Sequence, residues 1–547
     1  MATKLLDGNT FKTLVANGCQ SLINDIERIN ALNVFPVPDG DTGTNMKMTI
    51  DGGVRSIAFD NEPSIGVMSK KLSRAMTMSA RGNSGVILSQ FFKGLSLGFE
   101  DKDTVDAKEL VSIFESGVKQ AYKVVKKPTE GTMLTVMREA TEVCKNNIDS
   151  FENIEDFFAC FIKEAHASLK RTPDLLPILK EAGVVDSGGA GFNLIIEGMI
   201  NALDGNILIS QQEEEKQNNK NTIGHFDADS VLEYGYCTEF ILQLQNSKVD
   251  IKTFDIKEIV DFLETLGDSI VAFKDDDIVK VHVHTFTPGK VIDYCQKFGE
   301  YITFKMENMS VQHSELESIP TEVVKEHLKY AVVAVSNGKG LDKAFKELGC
   351  NVIVTGGQTM NPSSEDFIQA FEKLDAENIF VFPNNGNIIM AARQAAENYQ
   401  KANIIIIPTK SIAQCYSALT MLDYSSDDLD EISNNFTSTI ENVTSASITT
   451  SIRDCQINDI TIKKDDYIAI VDGQMVASST DKVNIVLDML SKIENIDEKE
   501  VITIIYGKDV TDEEKAKLVK LIKENYQFEI GEIDGLQDVY HFILSLE

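Results

Sequence analysis

Asn33-Val-Phe-Pro-Val-Pro-Asp39-Gly40-Asp41-Thr42-Gly43-Thr44-Asn45-Met46 gathers two prolines, two glycines and two aspartates into one short stretch. Pro36 and Pro38 stiffen the approach, while Gly40 and Gly43 let the backbone fold tightly enough for Asp39 and Asp41 to aim at one point. Two converging carboxylates are hard oxygen ligands suited to Mg²⁺ shared with nucleotide phosphates. Thr42, Thr44 and Asn45 then start a helix whose free amides favour phosphate. Taken alone, the same residues would also make an Asx-rich turn that only caps a helix.

Outward from this stretch the pattern is helical. From about residue 8 to 204 apolar side chains recur every three or four positions, as in Phe11, Leu14, Leu22, Ile26 and Ile29, which predicts an all-α domain over 1–204. Three more Gly-rich segments each precede an apolar helix: Ser79-Ala-Arg81-Gly82-Asn83-Ser84-Gly85, Lys127-Pro-Thr129-Glu130-Gly131-Thr132-Met133, and Gly183-Val-Val-Asp186-Ser187-Gly188-Gly189-Ala190-Gly191. Each sets small or hydroxyl residues at a helix N-terminus. Gathered at one rim, such ends make a phosphate cradle; singly, they serve close helix packing. None fits the Gly-x-x-x-x-Gly-Lys-Ser/Thr loop, which excludes a P-loop kinase.

These four segments together resemble the nucleotide-binding domain of the dihydroxyacetone kinase superfamily, and the whole chain resembles the ATP-binding component of bacterial fatty acid kinase. The resemblance implies an eight-helix barrel that holds ATP with two Mg²⁺ ions at its rim, a homodimer, and a separate fatty-acid-binding carrier protein as partner. It assigns Asp39 and Asp41 to metal; the family's third, upstream aspartate has no match, and Asn33 stands nearest. It assigns Thr42, Thr44, Asn45, Gly82, Asn83, Ser84, Gly85, Thr129, Gly131, Thr132, Asp186 and Gly188 to the nucleotide.

A polar, low-complexity run from Gln211 to Asn221 marks a linker over 205–222. Beyond it, 223–310 reads as a small α+β domain with strands at Cys237–Leu244 and Ile278–Thr285 and a helix near Ile256–Leu266. Positions two apart in a strand share a face, so His282 and His284 project together. With Cys237 they could bind Zn²⁺ with an open position or act on a phosphoryl group; an exposed strand with incidental histidines is the plainer alternative. The family resemblance makes these three residues catalytic. After a second linker at 311–328, β-rich segments Ala331–Val335, Val352–Thr355, Ile379–Phe382 and Ile404–Ile407 alternate with helices such as Ser364–Leu374, and later strands at Tyr467–Val471 and Val501–Tyr506 add a second lobe. That predicts a two-lobed α/β domain over 329–547, which the resemblance makes the carrier-docking part.

Charge bounds the partners. With 52 basic and 85 acidic side chains the net charge is −33, which disfavours nucleic acid and favours a basic protein partner. From Ser411 to Ile452 there is no Lys or Arg, yet Asp423, Asp427, Asp428, Asp430, Glu431 and Glu441 are present, a candidate docking surface or else a solvated loop. No apolar run approaches the ~18 residues of a membrane span, no leader precedes the first helix, and eight scattered cysteines without a Cys-x-x-Cys pair fit a reducing, cytoplasmic setting. The function these readings converge on is phosphoryl transfer from ATP to a fatty-acid carboxylate. A hydroxyl-directed kinase of the dihydroxyacetone type and a non-enzymatic ATP-sensing regulator are the competing readings.

Overall fold

The computed structural model describes residues 3–33, 40–208, 235–251, 253–275, 277–308, 327–357, 360–421, 428–451, 454–457 and 460–547. Asp39, most of the first linker, most of the second linker and the acidic residues Asp423 and Asp427 lie outside them; Leu328, expected in the second linker, instead begins the strand Leu328–Ser336.

The N-terminal region carries ten α-helices among the described residues, between Gly8 and Leu203. Their starts are written locally. Asp7 accepts from the Thr10 amide at 2.8 Å to cap Gly8–Asn24, Asp106 and Glu109 form a capping box at Ala107–Val124, and Asn153 with Asp156 does the same at Ile154–Leu175. The periodic apolar faces meet in a phenylalanine-rich core. Phe91 packs edge-to-face on Phe192 at 5.2 Å between centroids, and Phe114 on Phe157 at 4.9 Å, each pair worth about 0.5–1.5 kcal/mol beyond its buried area. Helices Gly8–Asn24 and Ser187–Leu203 approach through Gly18 and Gly198: a Cβ on Gly198 would stand 2.6 Å from the Asn17 carbonyl. Asn17 Nδ2 then donates to the Gly198 carbonyl at 2.7 Å, locking the pair.

The expectation of an all-α domain needs one correction. Leu6–Asp7 pairs antiparallel with Thr104–Val105. A two-residue strand is too short to leave a periodic signature, and its backbone pairing ties the entry of the first helix to the loop before Ala107–Val124.

Residues Gln211–Val324 form a separate compact unit. Its described part is a four-stranded antiparallel sheet in the order Gly267–Asp275, Ile278–Thr285, Tyr236–Leu244, Gly299–Asn308. Phe240, Leu242, Val279, Val281 and Val283 form its core with Ile259 and Leu263 of helix Lys257–Leu263 and Val291 of helix Pro288–Cys295. The first and last of these strands are additions to the two read from the sequence.

The C-terminal region has two lobes. In the first, strands Asn403–Ile406, Ala376–Phe382, Leu328–Ser336 and Val352–Thr355 lie side by side in that order, all parallel. Such pairs need crossover helices, and the sequence supplies Lys339–Glu347, Ser364–Glu372 and Ile389–Asn398 between them. The second lobe is a six-stranded mixed sheet, ordered Gln474–Ser479, Tyr467–Val471, Thr444–Thr450, Tyr540–Leu546, Val501–Gly507, Glu529–Gln537, in which only the last pair is parallel.

Met1–Ser210 and Lys325–Glu547 make up one compact unit. The contact is specific. Arg81 bridges Ser363 as an isolated antiparallel pair, and Ala80 and Val86 are buried with Phe367, Ile388, Ala391 and Ala392 of the C-terminal lobe.

Candidate functional site

Four helix N-termini of the helical region converge on one cavity of about 250 Å³. Thr42 opens helix Thr42–Ile57, Asn83 and Ser84 lie in the first turn of Gly82–Gly98, Thr132 precedes Met133–Asn146, and Asp186, Ser187 and Gly188 begin Ser187–Leu203; all of these line it. The first amides of a helix have no intrahelical partner and carry its positive end, so four such ends facing one space favour an anion.

Individual contacts fix the rim. Ser187 Oγ donates to Thr42 Oγ1 at 3.2 Å, joining two segments far apart in the chain. Asp186 Oδ2 accepts from the Gly189 amide at 2.7 Å. Burial pushes the Asp186 carboxyl up to about 6, against the pull of the Gly189 and Met133 amides. The loop before Met133 is tied down by Glu130, which accepts from Thr135 Oγ1 at 2.6 Å and from Arg138 Nη2 at 2.9 Å. Burial alone would raise the Glu130 carboxyl, but the bonds from Thr135, Arg138 and Tyr122 hold it below its ordinary value. Gly82 has φ of +57°, and a Cβ there would stand 2.6 Å from Asn45 Nδ2, so glycine is what lets the turn close.

Of the residues read from the sequence, Asn33, Asp41, Thr42, Asn45, Asn83, Ser84, Thr129, Thr132, Asp186 and Gly188 line the cavity. Thr44, Gly82, Gly85 and Gly131 do not. Thr44 is engaged by Asn30, which accepts from its amide at 3.2 Å and donates to its hydroxyl at 3.1 Å; Gly85 lies against Thr49, and Gly131 against Leu176 and Thr172. These four shape the wall from behind. The sequence reading missed the apolar wall of Leu32, Ile87, Val125, Met133, Leu176 and Leu179, because side chains at helical spacing read as core. It also missed Asn387 and Met390 from the C-terminal lobe. The polar turn Asn384-Asn385-Gly386-Asn387 after a strand was the available signal for the first of them.

Divalent metal fits this donor set in part. Asp41 supplies a carboxylate, Thr42 and Asn45 supply oxygens beside it, and Asn33 lines the same space; Asp39 is outside the described residues. Among the described residues no group of three or more His, Cys, Asp or Glu could hold a metal by itself. A Mg²⁺ ion shared with phosphate oxygens needs only one or two carboxylates from the protein.

A second cavity, of about 150 Å³, opens between the two C-terminal lobes beyond the carboxyl ends of the parallel strands, lined by Asn337, Asn384, Lys410 and Gln537 among others. Lys410 is the one cation in its lining among the described residues, and residues of the four Gly-rich segments line the first cavity instead.

In the middle unit, Cys237 stands directly opposite His284 and Glu239 opposite His282 on the paired strands, with the alternate residues Val281 and Val283 buried in the core. The side chains of Cys237, His282 and His284 lie outside the described residues.

Family models match three consecutive parts of the chain: a DAK2 domain at 36–201, the FakA-like middle domain of fatty acid kinase at 233–316, and the FakA-like C-terminal domain at 331–547. An uncharacterised protein of Staphylococcus saprophyticus is 38% identical, with 99% of both chains covered. The chain belongs to the FakA-like fatty acid kinase family. Protein YloV of Bacillus subtilis, also 38% identical, matches over 100% of both chains. Among solved structures, the dihydroxyacetone kinase of C. freundii in complex with AMP-PNP and Mg²⁺ is similar at 20% identity and a TM-score of 0.27, covering 35% of this chain and 33% of that one. The four helix ends at the cavity lie within the part matched by the DAK2 model, while Leu32, Asn33, Asn387 and Met390 of its lining lie outside that part; the paired Cys237 and His284 lie within the part matched by the FakA-like middle domain. No helix among the described residues is long and apolar enough to cross a membrane.

Proposed function

We propose that the protein is an ATP-dependent fatty acid kinase that phosphorylates the carboxylate of a fatty acid presented by a separate fatty-acid-binding carrier. The observation that carries this reading is the convergence of four helix N-termini and Asp41 on one cavity, in a chain whose three parts all match kinase-family models. The triphosphate would lie against the first turns at Thr42, Asn83, Thr132 and Gly188, with the base against the apolar wall of Leu176, Leu179 and Met133. Asp41, with Asp39, would hold Mg²⁺, which offsets the charge of the phosphates in a protein of net charge −33.

A fatty-acid carboxylate, with a reference pKa near ~4, is already ionised at neutral pH and needs no base. One of its oxygens forms a bond to the γ-phosphorus while the bond from that phosphorus to the bridging oxygen breaks, and the products are acyl phosphate and ADP with no proton moved. The protein's task is therefore charge screening and in-line placement. Cys237, His282 and His284 are assigned to orienting or relaying the phosphoryl group. The test is ADP formation by the full chain with Mg-ATP and either fatty-acid-loaded carrier, empty carrier or dihydroxyacetone. Dependence on the loaded carrier is expected; turnover on dihydroxyacetone alone would replace this reading with the hydroxyl-directed one.

A further inference from the structure

The C-terminal lobe does more than adjoin the helical region, because it reaches the rim of the nucleotide cavity with three side chains. Asn361 Nδ2 donates to Asp41 Oδ2 at 2.5 Å. Asn387 and Met390 line the cavity, and Asn387 Oδ1 accepts from Asn83 Nδ2 at 2.9 Å. Asn83 sits in the first turn of Gly82–Gly98, one of the four converging helix ends.

Asn361 is held from behind. Its backbone carbonyl accepts from Arg81 Nη1 at 2.7 Å, Arg81 pairs with Asp366 at 3.3 Å, and Asp366 is itself fixed by the Ser363 amide at 2.7 Å at the start of Ser364–Glu372. Arg81 of the Ala-Arg81-Gly motif thus serves the join between the helical region and the C-terminal lobe. Asn361 is 2% exposed, and its Oδ1 is buried with no hydrogen-bond partner among the described residues. An unpaired buried amide oxygen costs about 1–3 kcal/mol, and it belongs to the same amide group that contacts Asp41. A hydrated metal at Asp41 would bring water hydrogens to satisfy it.

We infer that the C-terminal lobe is a working part of the nucleotide site: Asn361 is a positioning residue that orients the Asp41 carboxylate for metal, and Asn387 with Met390 closes the outer wall over the nucleotide. This rests on the nucleotide reading of the cavity and adds a dependence of nucleotide binding on a domain more than 300 residues away in sequence from Asp41. One oxygen of Asp41 is occupied by the Asn361 amide. An amide that orients a ligating carboxylate typically changes metal affinity or activity 10–100-fold when removed.

The experiment is calorimetric titration of the full chain with AMP-PNP, with Mg²⁺ and with chelator, comparing the parent with Asn361→Ala, the similar-sized Asn361→Leu, Met390→Ala and Gln394→Ala. Gln394 donates to the Thr77 carbonyl at 2.5 Å across the same join but does not line the cavity. Both Asn361 variants are expected to lose roughly tenfold or more in affinity with Mg²⁺ and nothing with chelator. Met390→Ala is expected to weaken binding under both conditions, and Gln394→Ala to leave the nucleotide affinity near the parent's. Parent that binds while every variant matches it would overturn the inference alone. Losses at Asn361 that are equal with and without metal, or are reproduced by Gln394→Ala, would overturn the positioning role. A parent that binds no nucleotide would overturn the nucleotide reading itself and this inference with it.

Discussion

In the helical region Thr42 and Ser187, 145 residues apart in the chain, share a hydrogen bond at the cavity rim; in the middle unit the Cys237 and His284 positions stand opposite each other because two strands pair in one register. The first arrangement is built by packing many helices, each with its own cap and its own share of the phenylalanine core. The second depends on strand register, where a slip of one residue would exchange the strand positions of His282 and His284 with those of the neighbouring Val281 and Val283. Nucleotide binding should accordingly survive local changes that destroy transfer, and the two functions should separate under mutation.

The sharpest separation is expected at the strands. His282→Ala and His284→Ala should lower phosphoryl transfer by roughly 10²–10⁴, the range for loss of a positioned group that acts on the reacting atoms, while AMP-PNP affinity stays at the parent's value. Full transfer in both variants would return these histidines to an ordinary strand face. Asp41→Asn should then act the other way, weakening Mg-nucleotide binding by about a hundredfold with a melting temperature close to the parent's; Asp39→Asn is expected to behave alike. Normal Mg-AMP-PNP binding in both would remove the metal assignment.

A third expectation concerns pH. The folded-state pKa of Asp186 is raised to about 6 from 3.8, so the group favours the folded state most at low pH, and that contribution is lost as pH rises through about 6. A rise from 3.8 to about 6 corresponds to about 3 kcal/mol. Asp186→Asn keeps a capping oxygen for the Gly189 amide but cannot titrate, so its melting temperature should vary less than the parent's between pH 4 and pH 7. Parallel curves for the two proteins would show that Asp186 is not protonated in that interval.

The smallest effect is expected on the acidic segment. Asp428 is not a free docking charge: its carboxylate caps Leu429–Asn442 through the Asp430 and Glu431 amides. Asp430 and Glu431 lie in that helix's first turn. Changing these two to Asn and Gln should raise the apparent KM for the carrier a few-fold at low salt and have little effect at high salt, where exposed charges are screened. A KM for the carrier that responds to neither substitution nor salt would move the docking surface elsewhere.

Much of this architecture could be read from the residues because its local and long-range signals agree. Helix starts with Asp7, Asp106, Asn153 and Asp186 announce themselves, and the four parallel strands of the first C-terminal lobe are short apolar runs between helical segments. The strands that do not show in the sequence lack that signature. Glu529–Gln537, reading EIGEIDGLQ, carries two glycines and three acidic residues at the edge of the six-stranded sheet, and Thr444–Thr450 is built mainly of Thr and Ser. At the cavity, the residues that cap helix ends were legible from spacing. Asn361, Asn387 and Met390 were not, since their role comes from docking one domain on another and no local pattern encodes which loop will meet Asp41.

The central claim is that the acceptor is a carboxylate, and trapping the product tests it directly. The full chain would be incubated with Mg-ATP and carrier loaded with a fatty acid, then quenched in hydroxylamine, and the acyl hydroxamate measured by mass against ADP released. One hydroxamate per ADP, absent without carrier or with His282→Ala, is the predicted result. ADP release with a loaded carrier but no hydroxamate would contradict the account, because the phosphoryl group would then have gone to something other than the fatty-acid carboxylate.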